Sequence, residues 1–293
     1  MTGATMRLFA LLALTLSVGC AGKHKGTYEV AAATAPAAQA PTALEEGDAL
    51  FAERADKAKL EAAVARYEAA FAADPTNRVA GAKLVRATYL LGDIHESDDA
   101  AKIARWDKAI AYGKQCIAIN ADFSAMLQKG DEDEATAAKV LTVDDVPCTY
   151  WTATALGKWA KASGTAKLLK NLGTVKAWVA RVEELDPTYF YGAPDRYWGA
   201  YYASIPSFAG QDLNKSKTHF DKSLSIAPNY LATRVLMAEN WAVKSQNKAE
   251  FKRILAEVIA ADAAIDPAIA AENAAEQAKA KALLAREGEF FAE

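Results

Sequence analysis

The densest group of side chains that could bind a ligand lies between residues 189 and 208, which hold eight of the 27 aromatic residues. Helical spacing places Trp198, Tyr201 and Tyr202 on a shared face. Two interpretations stay open: the rings fill the core between neighbouring helices, or some of them line a channel in which ring faces bury a solute and hydroxyls orient it. The candidate channel residues are Arg196, Tyr197, Trp198, Tyr201, Tyr202 and Phe208.

Arg196 has two candidate partners. A guanidinium binds a carboxylate through parallel hydrogen bonds, so Arg196 could bind a carboxylate ligand. It could equally bind the free carbonyl groups at the C-terminus of a helix. We favour the structural pairing.

No residue pattern predicts catalysis, a metal site or a cofactor. The three histidines and three cysteines are too scattered for zinc, and residues 131–134 lack the glycine and closing glutamate of a calcium loop, so we expect a solvated acidic loop there. No nucleophile elbow, phosphate loop or His-Glu-x-x-His motif occurs. The net charge of -3 gives no sign of the clustered lysines and arginines that nucleic-acid binding requires. We therefore predict neither an enzyme nor a nucleic-acid-binding protein.

The N-terminus predicts export. Arg7 precedes an apolar run over residues 8–16, which is typical of a secretory signal and is shorter than the roughly 20 residues that span a bilayer. The Val-Gly pair before Cys20 resembles a bacterial lipobox, which implies a lipoprotein signal peptide over residues 1–19 and lipid attachment at Cys20; cleavage without lipidation is the alternative. By resemblance to the sorting rule of enteric bacteria, Ala21 favours the outer membrane over the inner membrane.

Residues 20–42 predict a lipidated, flexible tether. They are rich in alanine and proline and contain few bulky apolar side chains, so they cannot bury a core. The folded body is expected to occupy residues 43–293.

Cys116 and Cys148 are a candidate disulfide. They lie 32 residues apart in a chain predicted to reach an oxidising compartment. A disulfide closing such a loop stabilises by about 3–4 kcal/mol in the chain-entropy model. The alternative is a pair of buried small apolar side chains.

The body is predicted to be all-α. Apolar residues recur at intervals of three and four, as in the stripe along residues 60–71, and we expect about ten to thirteen helices. Helices are predicted to end just before Pro75, Pro187, Pro228 and Pro267, with Ala121 marking a degenerate copy.

The helix ends indicate a repeat. Ala63, Tyr67, Ala70 and Pro75 have the spacing of the second helix of a tetratricopeptide repeat. The closing positions lie 46, 66, 41 and 39 residues apart, so the predicted fold is an all-α, tetratricopeptide-like helical-repeat solenoid with irregular insertions. Stacked repeats of this kind leave a concave surface suited to binding.

One stretch resembles a known family. Residues 191–220 begin with a Gly-x-Pro-x-Arg pattern, which is followed by a Gly, a Tyr and a Pro. The next repeat then begins with Gly-x-Asp-Leu-x-Lys-Ser, in which Gln211 separates a Gly and an Asp that are adjacent in the family pattern. The matching residues are Gly192, Pro194, Arg196, Gly199, Tyr202, Pro206, Gly210, Asp212, Leu213, Lys215, Ser216 and Phe220. This pattern resembles the T-component of tripartite ATP-independent periplasmic (TRAP) transporters, and residues 143–159 resemble another family segment.

The resemblance implies an accessory lipoprotein of a TRAP-type transport system. Such a protein would be tethered to the membrane in the periplasm and would bind a periplasmic solute-binding protein. It would form a homo-oligomer with a hole through each subunit, suited to a hydrophobic or carboxylate solute. The alternative is a cell-envelope scaffold that mediates protein-protein interactions through the same surface.

Overall fold

The computed structural model describes Tyr28 and residues 40–128 and 133–291. The predicted signal peptide, 1–19, the lipid attachment residue Cys20 and most of the predicted tether lie outside the described residues. Within those ranges the chain is helical and contains no strand, which confirms the all-α prediction. None of the described helices is long and apolar enough to cross a bilayer.

The described residues form fourteen α-helices, and two of these have only four residues. Their bounds are α1 Ala40–Ala52, α2 Lys57–Ala73, α3 Arg78–Leu90, α4 Asp99–Ile117, α5 Ala121–Gln128, α6 Glu134–Ala137, α7 Val146–Ala162, α8 Thr165–Leu185, α9 Tyr189–Ser204, α10 Leu213–Ile226, α11 Leu231–Leu236, α12 Lys248–Ala260, α13 Ala270–Ala285 and α14 Glu287–Phe290. Two π-helical turns, Leu91–His95 and Met237–Ala242, extend α3 and α11.

Local sequence explains most helix ends. The side chains of Asp56, Asp98 and Asp212 accept hydrogen bonds from the first free backbone N–H groups of α2, α4 and α10, as expected of N-cap residues. Proline follows the last residue of α2, α8 and α10 by two positions, as predicted. Pro267 differs, because α12 ends seven residues earlier, at Ala260.

Helices pack against their neighbours in sequence, α1 on α2, α3 on α4, α7 on α8 and α9 on α10. One apolar core extends from α2 to the first part of α9 and a second joins α10 to α13. Close contacts need small residues: a Cβ at Gly113 of α4 would collide with the side chain of Thr152 on α7. Pairing of neighbouring helices is what a helical-repeat solenoid requires, and the tetratricopeptide-like arrangement stays a proposal.

Ion pairs join the two ends of the folded body. The guanidinium groups of Arg54 and Arg86 reach Glu272 of α13 at 2.7 and 2.9 Å. Lys279 of the same helix reaches Asp93, in the π-helical turn after α3, at 2.9 Å. We call these five residues the terminal clasp. They connect positions 186 to 218 residues apart in sequence.

One residue of the predicted tether packs on the body. The Tyr28 ring meets the Phe123 ring edge to face, with centroids 5.4 Å apart. The Lys114 ammonium lies 4.9 Å from the centre of the Tyr28 ring. The chain therefore touches its own surface between α4 and α5 before the first helix begins.

Candidate functional site

The predicted channel residues of α9 do not share one environment. Arg196 is buried, whereas Tyr197, Trp198, Tyr201 and Tyr202 are half-buried. Phe208 lies beyond α9 in a 3-10 turn and is 92% exposed. The structure thus brings four of the six together and separates the other two from them.

The backbone before Arg196 explains this division. Phe190, Tyr191 and Gly192 have φ of 41°, 60° and 69°, all in the left-handed region. Left-handed residues normally occur singly, because each costs an L-amino acid about 1–2 kcal/mol. The right-handed helix resumes after this turn, with Pro194 in its first turn, where a missing N–H costs no helical hydrogen bond.

Arg196 holds the left-handed turn in place. Its guanidinium donates hydrogen bonds to the carbonyl oxygens of Tyr191, at 2.9 Å, and Phe190, at 3.3 Å, and to the Tyr150 hydroxyl. The group lies 4.5 Å from the centre of the Tyr230 ring. Its contacts are with backbone and rings, which is the kind of structural pairing favoured above, although with a turn in place of a helix end.

The turn packs its aromatic side chains against rings of α7 and against Tyr230, the residue before α11. We call Tyr89, Tyr150, Trp151, Phe190, Tyr191 and Tyr230 the inner aromatic cluster. Trp151 and Phe190 meet edge to face at 4.6 Å, Tyr191 stacks on Tyr230 at 5.2 Å, and Tyr89 meets Trp151 at 5.6 Å. Burial raises the pKa of Tyr230, so its hydroxyl stays neutral at ordinary pH.

Arg86 adds a positive charge to this cluster. Its guanidinium lies 4.8 Å from the ring centre of Phe190 and 5.3 Å from that of Trp151. One nitrogen, Nη2, donates to Glu272 at 2.9 Å. Another, Nε, is buried and has no hydrogen-bond partner among the described residues. A guanidinium with an unused donor beside aromatic ring faces can bind an anionic group attached to an apolar body.

A cleft of about 330 Å³ opens next to Arg86, lined also by Phe51, Arg54, Tyr67 and Lys83. The Phe51 ring lies 5.0 Å from the Arg86 guanidinium, so it continues the aromatic surface into the cleft. The Tyr67 hydroxyl donates to Asp48 at 2.8 Å. The cleft therefore mixes ring faces with fixed charges of both signs.

The four later aromatics of α9 form a second group, the outer aromatic stripe of Tyr197, Trp198, Tyr201 and Tyr202. The Trp198 indole donates to Glu183 of α8 at 2.7 Å. The Tyr202 ring stacks on His219 of α10 at 5.6 Å. The side chains of this stripe pack between α9 and its neighbours α8 and α10, as expected if they fill the core between helices. They are still partly open to solvent.

Behind the outer stripe lies a buried carboxylate, Asp195. It contacts the His219 imidazole at 2.8 Å and the Lys222 ammonium at 2.9 Å. Its charge is thus compensated within the helix pair. No group of three His, Cys, Asp or Glu side chains in the described ranges is arranged to hold a metal ion.

The predicted disulfide residues lie in α4 and α7. The sulfur atoms of Cys116 and Cys148 are 1.97 Å apart, which is bonding distance, and both side chains are buried. Cys20 lies outside the described residues.

Sequence reasoning missed Arg86 and Tyr230 as site residues, and used Tyr150 and Trp151 only for the family resemblance. These four come from α3, α7 and the residue just before α11, and nothing local in the sequence links them. The only signal was the aromatic density after residue 188, which identified one side of the inner aromatic cluster.

Comparison with known proteins places the chain in a family. The family model described as TRAP transporter T-component matches residues 34–291. No curated protein matches the chain. T-components are accessory parts of transporters, and the family is not one of enzymes. Because the match covers nearly the whole described body, the chain belongs to the TRAP transporter T-component family.

Proposed function

We propose that the protein is a periplasmic lipoprotein, anchored through Cys20 to the outer membrane in preference to the inner membrane, that binds the solute-binding protein of its TRAP system. The family match supports a transporter role. The signal-like N-terminus and the cysteine after it support export and lipid attachment. The family resemblance further implies a homo-oligomer of tetratricopeptide-like subunits.

We place the solute at the inner aromatic cluster and its neighbouring cleft, and not at the outer aromatic stripe. The observation that carries this choice is the left-handed turn, in which two bulky aromatic residues adopt a costly backbone conformation. Strained residues of this kind cluster at binding sites, where the surrounding structure maintains them. The unused Nε donor of Arg86 beside the same rings favours a solute with an apolar body and an anionic group.

The first test is extraction of a tagged chain from the native cell in detergent, followed by mass spectrometry of co-purifying proteins. The proposal expects recovery of a periplasmic solute-binding protein, and loss of membrane association in a Cys20→Ser variant. Recovery of envelope-assembly proteins alone would replace the transporter role with the scaffold alternative.

The second test uses anilinonaphthalene sulfonate, whose rings and sulfonate match the proposed solute chemistry. An Arg86→Gln variant should bind this probe about tenfold more weakly, since a charge-assisted hydrogen bond is lost. Lys176→Gln is the matched control, because Lys176 also lies over a ring, that of Tyr201, but in the outer stripe. Equal loss in both variants, with unchanged thermal unfolding, would argue against the inner site.

A further inference from the structure

One segment of this acidic protein carries only positive charge. Residues 146–182 contain six lysines and arginines and no acidic residue, although the whole chain has a net charge of -3. Two of the six are engaged elsewhere: Lys158 pairs with Asp93, and Arg181 with Glu184 and the Leu141 carbonyl. The other four are lysines at the end of α7 and along α8.

These four lysines have little acidic compensation in the described part of the chain. Lys161 reaches Glu239 at 3.9 Å, at the outer limit of an ion pair. The ammonium groups of Lys167 and Lys176 lie over aromatic rings, 4.8 and 4.9 Å from their centres. Lys170 is exposed on α8. Their charge is therefore available to an external partner.

The same region exposes apolar side chains. Leu169 of α8 is 60% exposed and Phe208 is 92% exposed. Ala166 and Gly173, on the same side of α8 as Leu169, are exposed as well. Large apolar side chains that are exposed on a monomer and lie next to one another are a feature of interaction surfaces.

Leu169 and Phe208 lie at the same end of the α8–α9 pair. Trp198 contacts Glu183, and the later residue Tyr201 contacts the earlier residue Lys176. The two helices therefore run in opposite directions. The first turns of α8, which hold Leu169, lie beside the end of α9, which leads to Phe208.

We propose that Leu169, Lys170, Lys176, Tyr201 and Phe208 form a docking face for an acidic protein surface with an apolar centre. Resting on the proposed function, we assign this face to the periplasmic solute-binding protein. Interfaces of this kind have an apolar centre and a polar rim, and complementary charge selects the partner. A second copy is disfavoured, because a two-fold contact would bring the same lysines together.

The test measures binding of the purified solute-binding protein of the same transport system to the mature full-length chain in detergent. Lys170→Glu and Phe208→Ala should each weaken binding at least about tenfold, and wild-type affinity should fall as salt is raised from about 50 to 300 mM. Lys281→Glu, at an exposed lysine of α13, and Ile265→Ala, at an apolar side chain 56% exposed, are matched controls and should bind as wild type.

The outcomes separate this face from the proposed function. If the wild type binds and all four variants bind equally well, the face is wrong and the transporter role stands. If the wild type does not bind, the proposed function and this face are both overturned. If light scattering shows that Phe208→Ala instead changes the mass of the isolated protein, the face serves self-association. If these variants lose only their binding to phosphatidylglycerol vesicles, the face contacts membrane. The proposal fails if the face serves self-association or contacts membrane.

Discussion

Three consecutive residues decide where the aromatic side chains of α9 point. The left-handed turn at Phe190, Tyr191 and Gly192 changes the direction of the chain just before the helix. Arg196 stabilises the turn through two backbone carbonyl groups. Lysine could not replace this arginine, because a single ammonium lacks the planar, widely spaced donors of a guanidinium.

Gly192→Ala should lower the free energy of unfolding by about 2 kcal/mol or more. Its φ is 69°, and an added Cβ would lie 3.2 Å from both Cα and Oγ of Ser223. Gly173→Ala is the contrasting control, since this helical glycine has open space around it and alanine should raise stability by about 0.5–1 kcal/mol. Urea denaturation followed by circular dichroism measures both. Destabilisation of similar size in both variants would contradict the left-handed turn.

The contact between α4 and α7 shows how elements distant in sequence combine. Gly113 of α4 permits close packing on Thr152 of α7, and Cys116 and Cys148 face each other a few residues away. Between these two helices lie α5 and α6, which pack against each other. The sulfur pair thus closes a loop that contains two short helices.

A Cys116→Ala, Cys148→Ala variant should lose about 3–4 kcal/mol of stability, the amount expected from loop closure over this length. The wild-type protein should show a similar loss in dithiothreitol, which should leave the double variant unaffected. Denaturation curves with and without reductant provide the measurement. Identical curves for the oxidised and reduced wild type would indicate two buried thiols.

The terminal clasp connects the N-terminal part of the folded body to α13. Burial alone would raise the pKa of Asp93, but Lys158 and Lys279 outweigh this effect and hold the pKa well below its usual range. A carboxyl with a depressed folded pKa stabilises the protein fully at neutral pH. That contribution is lost as pH falls below the unfolded pKa of about 3.9.

Asp93→Asn should cost about 2–3 kcal/mol at pH 7, somewhat less than the loss of one partner from a fully buried pair, because Lys158 and Lys279 are partly exposed. The variant should also lose stability less steeply than wild type between about pH 5 and pH 2. Denaturant titrations across that range test both points. Glu289→Gln, which removes an exposed pair with Arg286, should leave stability unchanged within error. A wild-type pH profile in Asp93→Asn would show that this carboxylate does not drive the acid response.

The sequence alone predicted the helical class, the proline-ended helices and the family to which the chain belongs. These depend on interactions within a few residues: the period of apolar side chains, the missing N–H of proline, and motifs such as Gly210-x-Asp212, where Asp212 caps α10. The fourth proline, Pro267, was less informative because α12 ends well before it. Proline marks where a helix must have ended and leaves open how much earlier it ended.

The candidate site itself depended on tertiary packing. The sequence placed Arg196 and Tyr197 in one candidate channel, yet Arg196 meets Tyr150 and Tyr230 while Tyr197 packs with Trp198 and Tyr201. The rings of the inner aromatic cluster come from helices tens of residues apart, and Glu272 reaches Arg86 across 186 positions. Such contacts are set by how helices stack, whereas periodicity and capping act within a single helix, so only the folded chain could bring these residues together.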